Sequence, residues 1–294
     1  MIMFERNILS IYGEQGKKWL AELPSIRQEL ADLWQLSELK PVANLSYNYV
    51  LEGFQKDRPI ILKLSLDTVV LSNEAKTLRA FNSPFVVDVL AEKTGALLLQ
   101  RAVPGYSLKS YWPNQEKEAV EITCKLISQL AQAPLPEKKT FPSISQWLSI
   151  LDKEWDIPES YLQKSKEFRD YLLKTSSELR LLHADLHHDN ILKNGKNWLV
   201  IDPKGVLGEL CYEVAAFIRN PIPDLLESET VWRIIDDRIT RFASCLKLDP
   251  KRIRQWCFVQ AVLAWCWSIE DGLDTSYFQK ITDIFAELCF KGRG

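Results

Sequence analysis

The strongest constraint on the fold is a change in the kind of secondary structure near residue 103. Before it, short runs of β-branched and apolar residues predict strands, and after it apolar residues recur every three or four positions, which predicts helices. The predicted strands are 47–51, 60–66, 86–90 and 96–100, with one helix at 72–81. The predicted later helices are 115–132, 144–153, 159–178, 210–219, 229–246, 250–270 and 275–290.

This order predicts an α+β, bilobal fold. A small strand-rich lobe with a leading helix should occupy residues 1–102, and a larger helical lobe should occupy 103–294. The leading helix, whose apolar face includes Trp19 and Leu23, should break or restart at Pro24. Within the helical half, Asn194-Gly195 separates two apolar runs and predicts a β-hairpin.

Composition excludes several classes of protein. The net charge of -2, from 37 basic and 39 acidic residues, gives no field for a nucleic-acid backbone. The longest apolar stretch, 256–269, is shorter than the roughly 20 residues that cross a bilayer and predicts a buried helix. The first ten residues lack the apolar core of a secretory signal peptide. The six cysteines form no CxxC pair, which predicts that they are reduced thiols in the core. We expect a cytoplasmic protein, monomeric or weakly dimeric, with no membrane or nucleic-acid partner.

The most informative segment runs from His183 to Asn190 and is followed, across the predicted hairpin, by Asp202. Phosphoryl transfer requires a carboxylate to orient the acceptor hydroxyl and oxygen ligands for Mg²⁺. The kinase catalytic loop H-R-D-L-x-x-x-N matches this segment in spacing, with Ala184 in place of the arginine. On that template Asp185 is the catalytic base, and Asn190 and Asp202 bind the metal.

Two other functions compete with this interpretation. Three histidines and three acids within about twenty residues could form a zinc or di-metal hydrolase site, but the chain has only three histidines in all. A catalytically silent ATP-binding module is the second, and the filled catalytic positions disfavour it. We expect His183 to brace the loop and not to transfer a proton in the reaction.

A kinase also requires an upstream lysine on a strand and a glutamate on the following helix, to hold the ATP phosphates. Lys63 lies within the apolar run 60–66, and Glu74 lies in the next predicted helix. A lone lysine can instead extend to solvent from an edge strand. The order of the two residues favours the ATP-binding role.

The rest of a nucleotide site is less distinct in sequence. The segment 44–49 has no GxGxxG, and its Ser46 and Asn48 could either cap phosphates or form a polar turn. Backbone groups of Gln100, Ala102 and Val103, at the predicted lobe junction, are candidates for contacting adenine.

Segments 98–108, 182–190 and 200–205, with the Asp202-Pro203-Lys204-Gly205 motif, resemble the aminoglycoside and hydroxyurea phosphotransferases. The resemblance extends over nearly the whole chain and is most specific to the streptomycin 6-phosphotransferase branch. It implies ATP and Mg²⁺, with Asp185 as base and an aminoglycoside acceptor. Ala184 stands where that family commonly has glycine. Related kinases on similar scaffolds act on choline, homoserine or sugars, and these acceptors stay open.

A cationic acceptor would require carboxylates in the helical lobe. The candidates are Glu209, Glu213, Glu270 and Asp271. Taken singly, each of them is more typical of a solvated helix face.

Overall fold

The computed structural model describes residues 2–43, 45–137, 139–176 and 178–290. The chain divides into two compact units, one of Met1–Gly105 with Lys193–Leu199, and one of Tyr106–Leu192 with Val200–Gly294. The first unit is rich in strands and the second in helices, so the expected α+β class is confirmed. The division at residue 102 into two functional domains stays a prediction.

Within the residues that the structure describes, ten strands form three sheets. They are β1 Leu36–Pro41, β2 Tyr49–Gln55, β3 Arg58–Leu64, β4 Val89–Lys93, β5 Ala96–Gln100, β6 Pro104–Ser107, β7 Arg180–Leu182, β8 Ile191–Asn194, β9 Asn197–Val200 and β10 Val206–Gly208. The antiparallel sheet of the first unit has the order β1-β2-β3-β5-β4. The other sheets have the orders β10-β7 and β6-β8-β9. Strand β1 was not expected, because only Leu39 of its six residues is buried and its pattern gives no alternation.

The helices are α1 Ile2–Trp34, α2 Thr68–Phe81, α3 Glu116–Leu130, α4 Ile144–Leu148, α5 Glu159–Thr175, α6 Leu210–Glu213, α7 Ala215–Ile218, α8 Asp224–Glu227, α9 Val231–Leu246, α10 Pro250–Glu270 and α11 Ser276–Phe290. Short 3₁₀ turns occupy Leu108–Tyr111, Ser149–Asp152 and His188–Asn190. The helix expected at 210–219 is two helices, α6 and α7. Helix α10 is buried along nearly its whole length, as the apolar stretch 256–269 predicted.

The leading helix does not break at Pro24, and that expectation was wrong. Helix α1 continues through Pro24, and its only non-helical backbone is at Gly13, where φ is 52°. Glycine adopts this conformation without the steric cost that other residues meet. On both sides of Pro24 the helix buries its apolar face in one core with the sheet, through Trp19, Leu23 and Leu30. This packing keeps the helix continuous despite the hydrogen bond that proline cannot donate.

Two further findings concern surface and solvent. Within the described ranges, no helix has the length and apolar character needed to span a membrane. All six cysteines are free thiols, and four of them are buried. Cys245 is exposed, so its assignment to the core was wrong: it lies on α9, whose buried face is formed by other positions such as Ile235, Ile239 and Phe242.

A buried arginine fixes the end of α7 in the second unit. Arg238 donates from Nε to Glu116 Oε2 at 2.7 Å, and from Nη1 to the carbonyl oxygens of Phe217 at 3.2 Å and Ile218 at 3.1 Å. The carbonyl of Asn220 accepts a third bond from Nη1. The last carbonyls of a helix have no hydrogen-bond donor within the helix, so Arg238 supplies the donors for the end of α7.

We expect Arg238→Met to lower the free energy of unfolding by about 3–5 kcal/mol, because it leaves the Glu116 carboxylate and three carbonyls without their partner. Urea unfolding followed by circular dichroism measures the change. Arg241→Met on the same helix is the control, since Arg241 forms an exposed i,i+4 pair with Asp237 and should cost about 0.5 kcal/mol or less. Equal, small losses for both variants would show that Arg238 does not anchor α7.

Candidate active site

The expected ion pair is present in the first unit. Lys63 on β3 and Glu74 on α2 are both buried, and Nζ lies 2.6 Å from Oε2. A lysine this deeply buried is costly unless it is paired, and the pair holds a fixed positive charge within the sheet. Lys63 therefore does not extend to solvent, although its role toward ATP stays a prediction.

The other nucleotide candidates lie around the same sheet. Ser46 is exposed and Asn48 half-buried, both in the bend that leads into β2, and the Ser46 carbonyl accepts a hydrogen bond from Asn7 Nδ2 at 3.1 Å. Asn44, in the same segment, lies outside the described residues. The Asn7 bond ties this turn to α1 and leaves its role in phosphate binding a prediction.

The predicted adenine contacts differ in what they already bind. The Val103 N–H donates to Asn194 Oδ1 at 3.1 Å, and its carbonyl accepts from the Gly195 N–H at 2.7 Å. The Gln100 N–H donates to the Asp88 carbonyl at 2.9 Å. Binding adenine through Val103 would exchange an existing hydrogen bond, and the roles of Gln100, Ala102 and Val103 toward adenine stay predictions.

In the second unit, His183 joins the two segments that carry the predicted catalytic residues. Its Nε2 lies 2.8 Å from the Ile201 carbonyl oxygen, and its Nδ1 accepts the Asp185 N–H at 3.2 Å. Since a carbonyl can only accept, the ring carries its proton on Nε2. Burial lowers the pKa of His183 to about 4, so the ring is neutral at pH 7. Both nitrogens hold the loop, as expected of a brace.

The same loop orients Asn190. Its Nδ2 donates to the Asp185 carbonyl at 2.8 Å, and its own carbonyl accepts the Ile201 N–H at 3.0 Å. The first bond fixes the side-chain amide so that Oδ1 is the atom available to a cation. Asp202 follows β9 with a φ of 59°, in the left-handed region that costs a non-glycine residue energy. Asp185, Asn190 and Asp202 are thus held by bonds that link the loop to the end of β9.

Two cations beside Asp185 were not assigned a role from the sequence. Lys204 Nζ lies 4.0 Å from Asp185 Oδ2 and 3.4 Å from Asp202 Oδ2, and Arg219 Nη2 lies 3.9 Å from Asp185 Oδ1. The i, i+2 spacing of Asp202 and Lys204 could have suggested the first contact. The run 217–221 is part of the family resemblance but assigns no role to Arg219, which is placed at the end of α7 by the Arg238 bonds described above.

The other two histidines are used within the fold. His187 Nδ1 accepts the Asp189 N–H at 3.3 Å, and the buried His188 ring stacks on Phe217 with ring centroids 3.9 Å apart. Burial places the pKa of His188 well below its usual value. Across the part of the chain that the structure describes, no group of three or more His, Cys, Asp or Glu residues is arranged to hold a metal ion.

Comparison with known proteins decides the family. Residues 37–272, well over half of the chain, match the aminoglycoside/hydroxyurea antibiotic resistance kinases. The chain belongs to this family.

Individual relatives of the kinase family agree with the match. The chain is 26% identical to a streptomycin 6-kinase of Streptomyces glaucescens over 275 residues, covering 89% of this chain and 88% of that protein. It is 27% identical to a streptomycin 3''-kinase of Klebsiella pneumoniae over 247 residues, covering 81% and 91%. A crystal structure of aminoglycoside phosphotransferase APH(4)-Ia with AMP-PNP and hygromycin B has a TM-score of 0.70 at 15% identity, covering 92% and 99%. The aminoglycoside-phosphotransferase fold is confirmed, and the family membership makes the chain a phosphotransferase.

The four candidate acceptor residues fall into two pairs. Glu209 is buried and accepts Arg252 Nε at 2.8 Å on both oxygens as well as the indole N–H of Trp256. Glu213 is buried and accepts the Ala184 N–H at 3.1 and 3.3 Å. Glu270 and Asp271 lie at the end of α10, where both are exposed and Glu270 pairs with Lys153 at 2.9 Å. Only the second pair presents carboxylates to solvent.

The buried Glu213 carboxylate binds the backbone of the catalytic loop. Its carboxylate holds the backbone of Ala184, whose φ of 67° is in the region that favours glycine. Alanine meets a steric cost at this φ that glycine would not, and the bond to Glu213 offsets part of that cost. Burial first, and then the nearby Asp185, raises the pKa of Glu213 to about 7.

We expect this pKa to give the protein a pH-dependent stability. Between about pH 4.5 and 7 the folded state keeps a proton that the unfolded chain releases, so stability falls as pH rises through this window. Glu213→Gln retains an acceptor for the Ala184 N–H and does not titrate. The stability of the wild type relative to this variant should therefore drop by up to about 3 kcal/mol from pH 4.5 to 7.5.

Urea unfolding of both proteins across this pH range measures the difference, and the His183 titration, common to both, cancels. Parallel stability curves would contradict the buried, partly protonated state of Glu213.

Proposed function

We propose that this kinase transfers the γ-phosphoryl group of ATP to a hydroxyl of streptomycin. The observation that carries the proposal is the His183 brace. His183 joins the segment that carries Asp185 to the segment that carries Asp202, within one unit. The residue types and spacing of these two carboxylates suit phosphoryl transfer. Two curated relatives at 26% and 27% identity are streptomycin kinases, which supports the acceptor. Their names differ in the position modified, so we leave the hydroxyl unassigned.

Asp185 is the proposed base. Its carboxylate accepts the proton of the acceptor hydroxyl as that oxygen bonds to the γ-phosphorus. The bond from this phosphorus to the bridging oxygen breaks, and its electron pair leaves with ADP. The Asp185 side chain is partly exposed, so its carboxylate can contact a ligand. The bonds from His183 and Asn190 to its backbone fix its position.

The donor set fits a magnesium ion. Mg²⁺ prefers hard oxygen ligands, and Asn190 Oδ1 and the Asp202 carboxylate are of this kind. When bound, the ion would neutralise phosphate charge and orient the β- and γ-phosphates. Since Lys204 approaches Asp202 at Oδ2, it also limits the negative charge of this carboxylate before the cation binds.

Lys63 is the proposed phosphate ligand of the first unit. Glu74 fixes its Nζ, so a cation is already in place when the nucleotide binds and no charge has to be moved into the sheet. Ser46, Asn48, Gln100, Ala102 and Val103 complete the proposed nucleotide contacts.

The first experiment is release of ADP from Mg·ATP with a panel of acceptors: streptomycin, other aminoglycosides, choline, homoserine and simple sugars. We expect streptomycin-dependent turnover. Asp185→Asn should lower kcat by about 10³-fold or more, because the amide cannot accept the proton, while AMP-PNP binding stays within about threefold.

Asp189→Asn is the control for this variant, since Asp189 is a neighbouring exposed carboxylate of the same loop. Full activity of Asp185→Asn would remove its role as base. Turnover with choline, homoserine or a sugar but not with any aminoglycoside would keep the chemistry and replace the acceptor.

The exposed pair at the end of α10 is the proposed contact for cationic groups of the acceptor. We expect Glu270→Gln combined with Asp271→Asn to raise the KM for streptomycin about tenfold, with the KM for ATP nearly unchanged. Glu159→Gln with Glu167→Gln, two exposed carboxylates of α5, is the charge-matched control. Steady-state kinetics at two salt concentrations measure the effect, and equal KM values for both double variants would place the pair outside the acceptor site.

A further inference from the structure

Lys204 connects the two proposed catalytic carboxylates. Its Nζ lies 3.4 Å from Asp202 Oδ2 and 4.0 Å from Asp185 Oδ2, and its backbone N–H donates to the His183 carbonyl at 2.9 Å. The backbone of Lys204 is therefore fixed by the same histidine residue that holds Asp185. The side chain is partly exposed, so the ammonium group is reachable by a ligand.

We propose that Lys204 is a further catalytic residue that contacts the transferred phosphoryl group, an inference that rests on the proposed function. During transfer the γ-phosphorus has the acceptor oxygen, oriented by Asp185, on one side and the oxygen of ADP on the other. Its remaining oxygens must then lie between Asp185 and the metal ligand Asp202. Nζ is the cation that spans these two carboxylates.

The requirement for a cation follows from charge. The transferred group carries its negative charge on three equatorial oxygens, and two carboxylates beside it would repel them. A positive charge that contacts the planar phosphoryl group of the transition state, and not the tetrahedral γ-phosphate of bound ATP, stabilises the transition state more than the ground state. A lysine suits this position since its flexible stem lets the ammonium move from a carboxylate to a phosphoryl oxygen.

Arg219 does not meet the same conditions. Of the two carboxylates it approaches Asp185, at Oδ1, and its side chain is mostly buried, with 12% exposed. It is a positioning residue for Asp185, whereas Lys204 reaches both carboxylates and solvent.

The test compares binding of a transition-state mimic with binding of a ground-state analogue, which does not depend on the acceptor. Mg·ADP with aluminium fluoride imitates the planar phosphoryl group, and Mg·AMP-PNP imitates bound ATP. For Lys204→Met we expect the affinity for the fluoride complex to fall by at least about tenfold and that for AMP-PNP to change by less than about threefold. Calorimetry on the full chain measures both, and thermal melting confirms that the variant is folded.

Activity gives the second readout. With whichever acceptor supports turnover, Lys204→Met should lower kcat by about 10²-fold with the KM for ATP within a few-fold, and Lys204→Arg should recover a large part of the loss. Lys251→Met, at an exposed lysine at the start of α10, is the charge-matched control and should match the wild type in both assays.

The outcomes separate the two proposals. If the wild type turns over no aminoglycoside but Lys204→Met still loses affinity for the fluoride complex selectively, the acceptor assignment fails and the role of Lys204 stands. If Lys204→Met binds both analogues as the wild type does, Lys204 does not contact the transferred group. Equal loss of both affinities would assign Lys204 to ground-state nucleotide binding and overturn the proposal as well.

Discussion

The geometry of the candidate site depends on one buried, neutral imidazole. His183 can accept from the Asp185 N–H and donate to the Ile201 carbonyl only while it carries a single proton, and its burial keeps it in that state. A charged ring would have two donors and could not accept the Asp185 N–H. Burial of His183 disfavours its charged form, and the neutral ring is the form that can join the loop to the end of β9.

Around this brace the backbone adopts conformations that an isolated chain would avoid. Ala184 and Asp202 both have positive φ, immediately beside the two segments that His183 joins. Such conformations persist where surrounding bonds determine them, and here the Glu213 carboxylate holds the Ala184 N–H while the Lys204 N–H is held by His183. These buried hydrogen bonds offset the energetic cost of the positive-φ conformations. Glu213 therefore belongs to the site although it is buried, because it holds the backbone of the catalytic loop.

The sequence predicted those parts of the fold and site that are encoded locally. The loop 183–190 could be recognised because its residues act at fixed spacing, and the Lys63–Glu74 pair because strand and helix follow each other directly. What depends on distant packing was missed or wrong. Pro24 does not end α1 because the core on both sides of it holds the helix, and Glu209 could not be recognised as buried because its partner Arg252 is 43 residues away. Arg219 is placed by Arg238, a contact that no local pattern encodes.

The charges beside Asp185 bear on how a cationic acceptor can bind. Lys204 and Arg219 approach both oxygens of this carboxylate at about 4 Å, so its negative charge is largely compensated locally. A guanidinium or ammonium group of the acceptor would gain little there and would be repelled by two cations, whereas a neutral hydroxyl meets no such penalty. On the proposed function, these charges favour a neutral hydroxyl at the reacting position, and the cationic groups of an aminoglycoside would bind to carboxylates elsewhere. On the proposed function, Glu209 and Glu213 are bound to other groups inside the fold, and the exposed Glu270 and Asp271 are the candidates for these contacts, with Glu270 exchanging its present pair with Lys153.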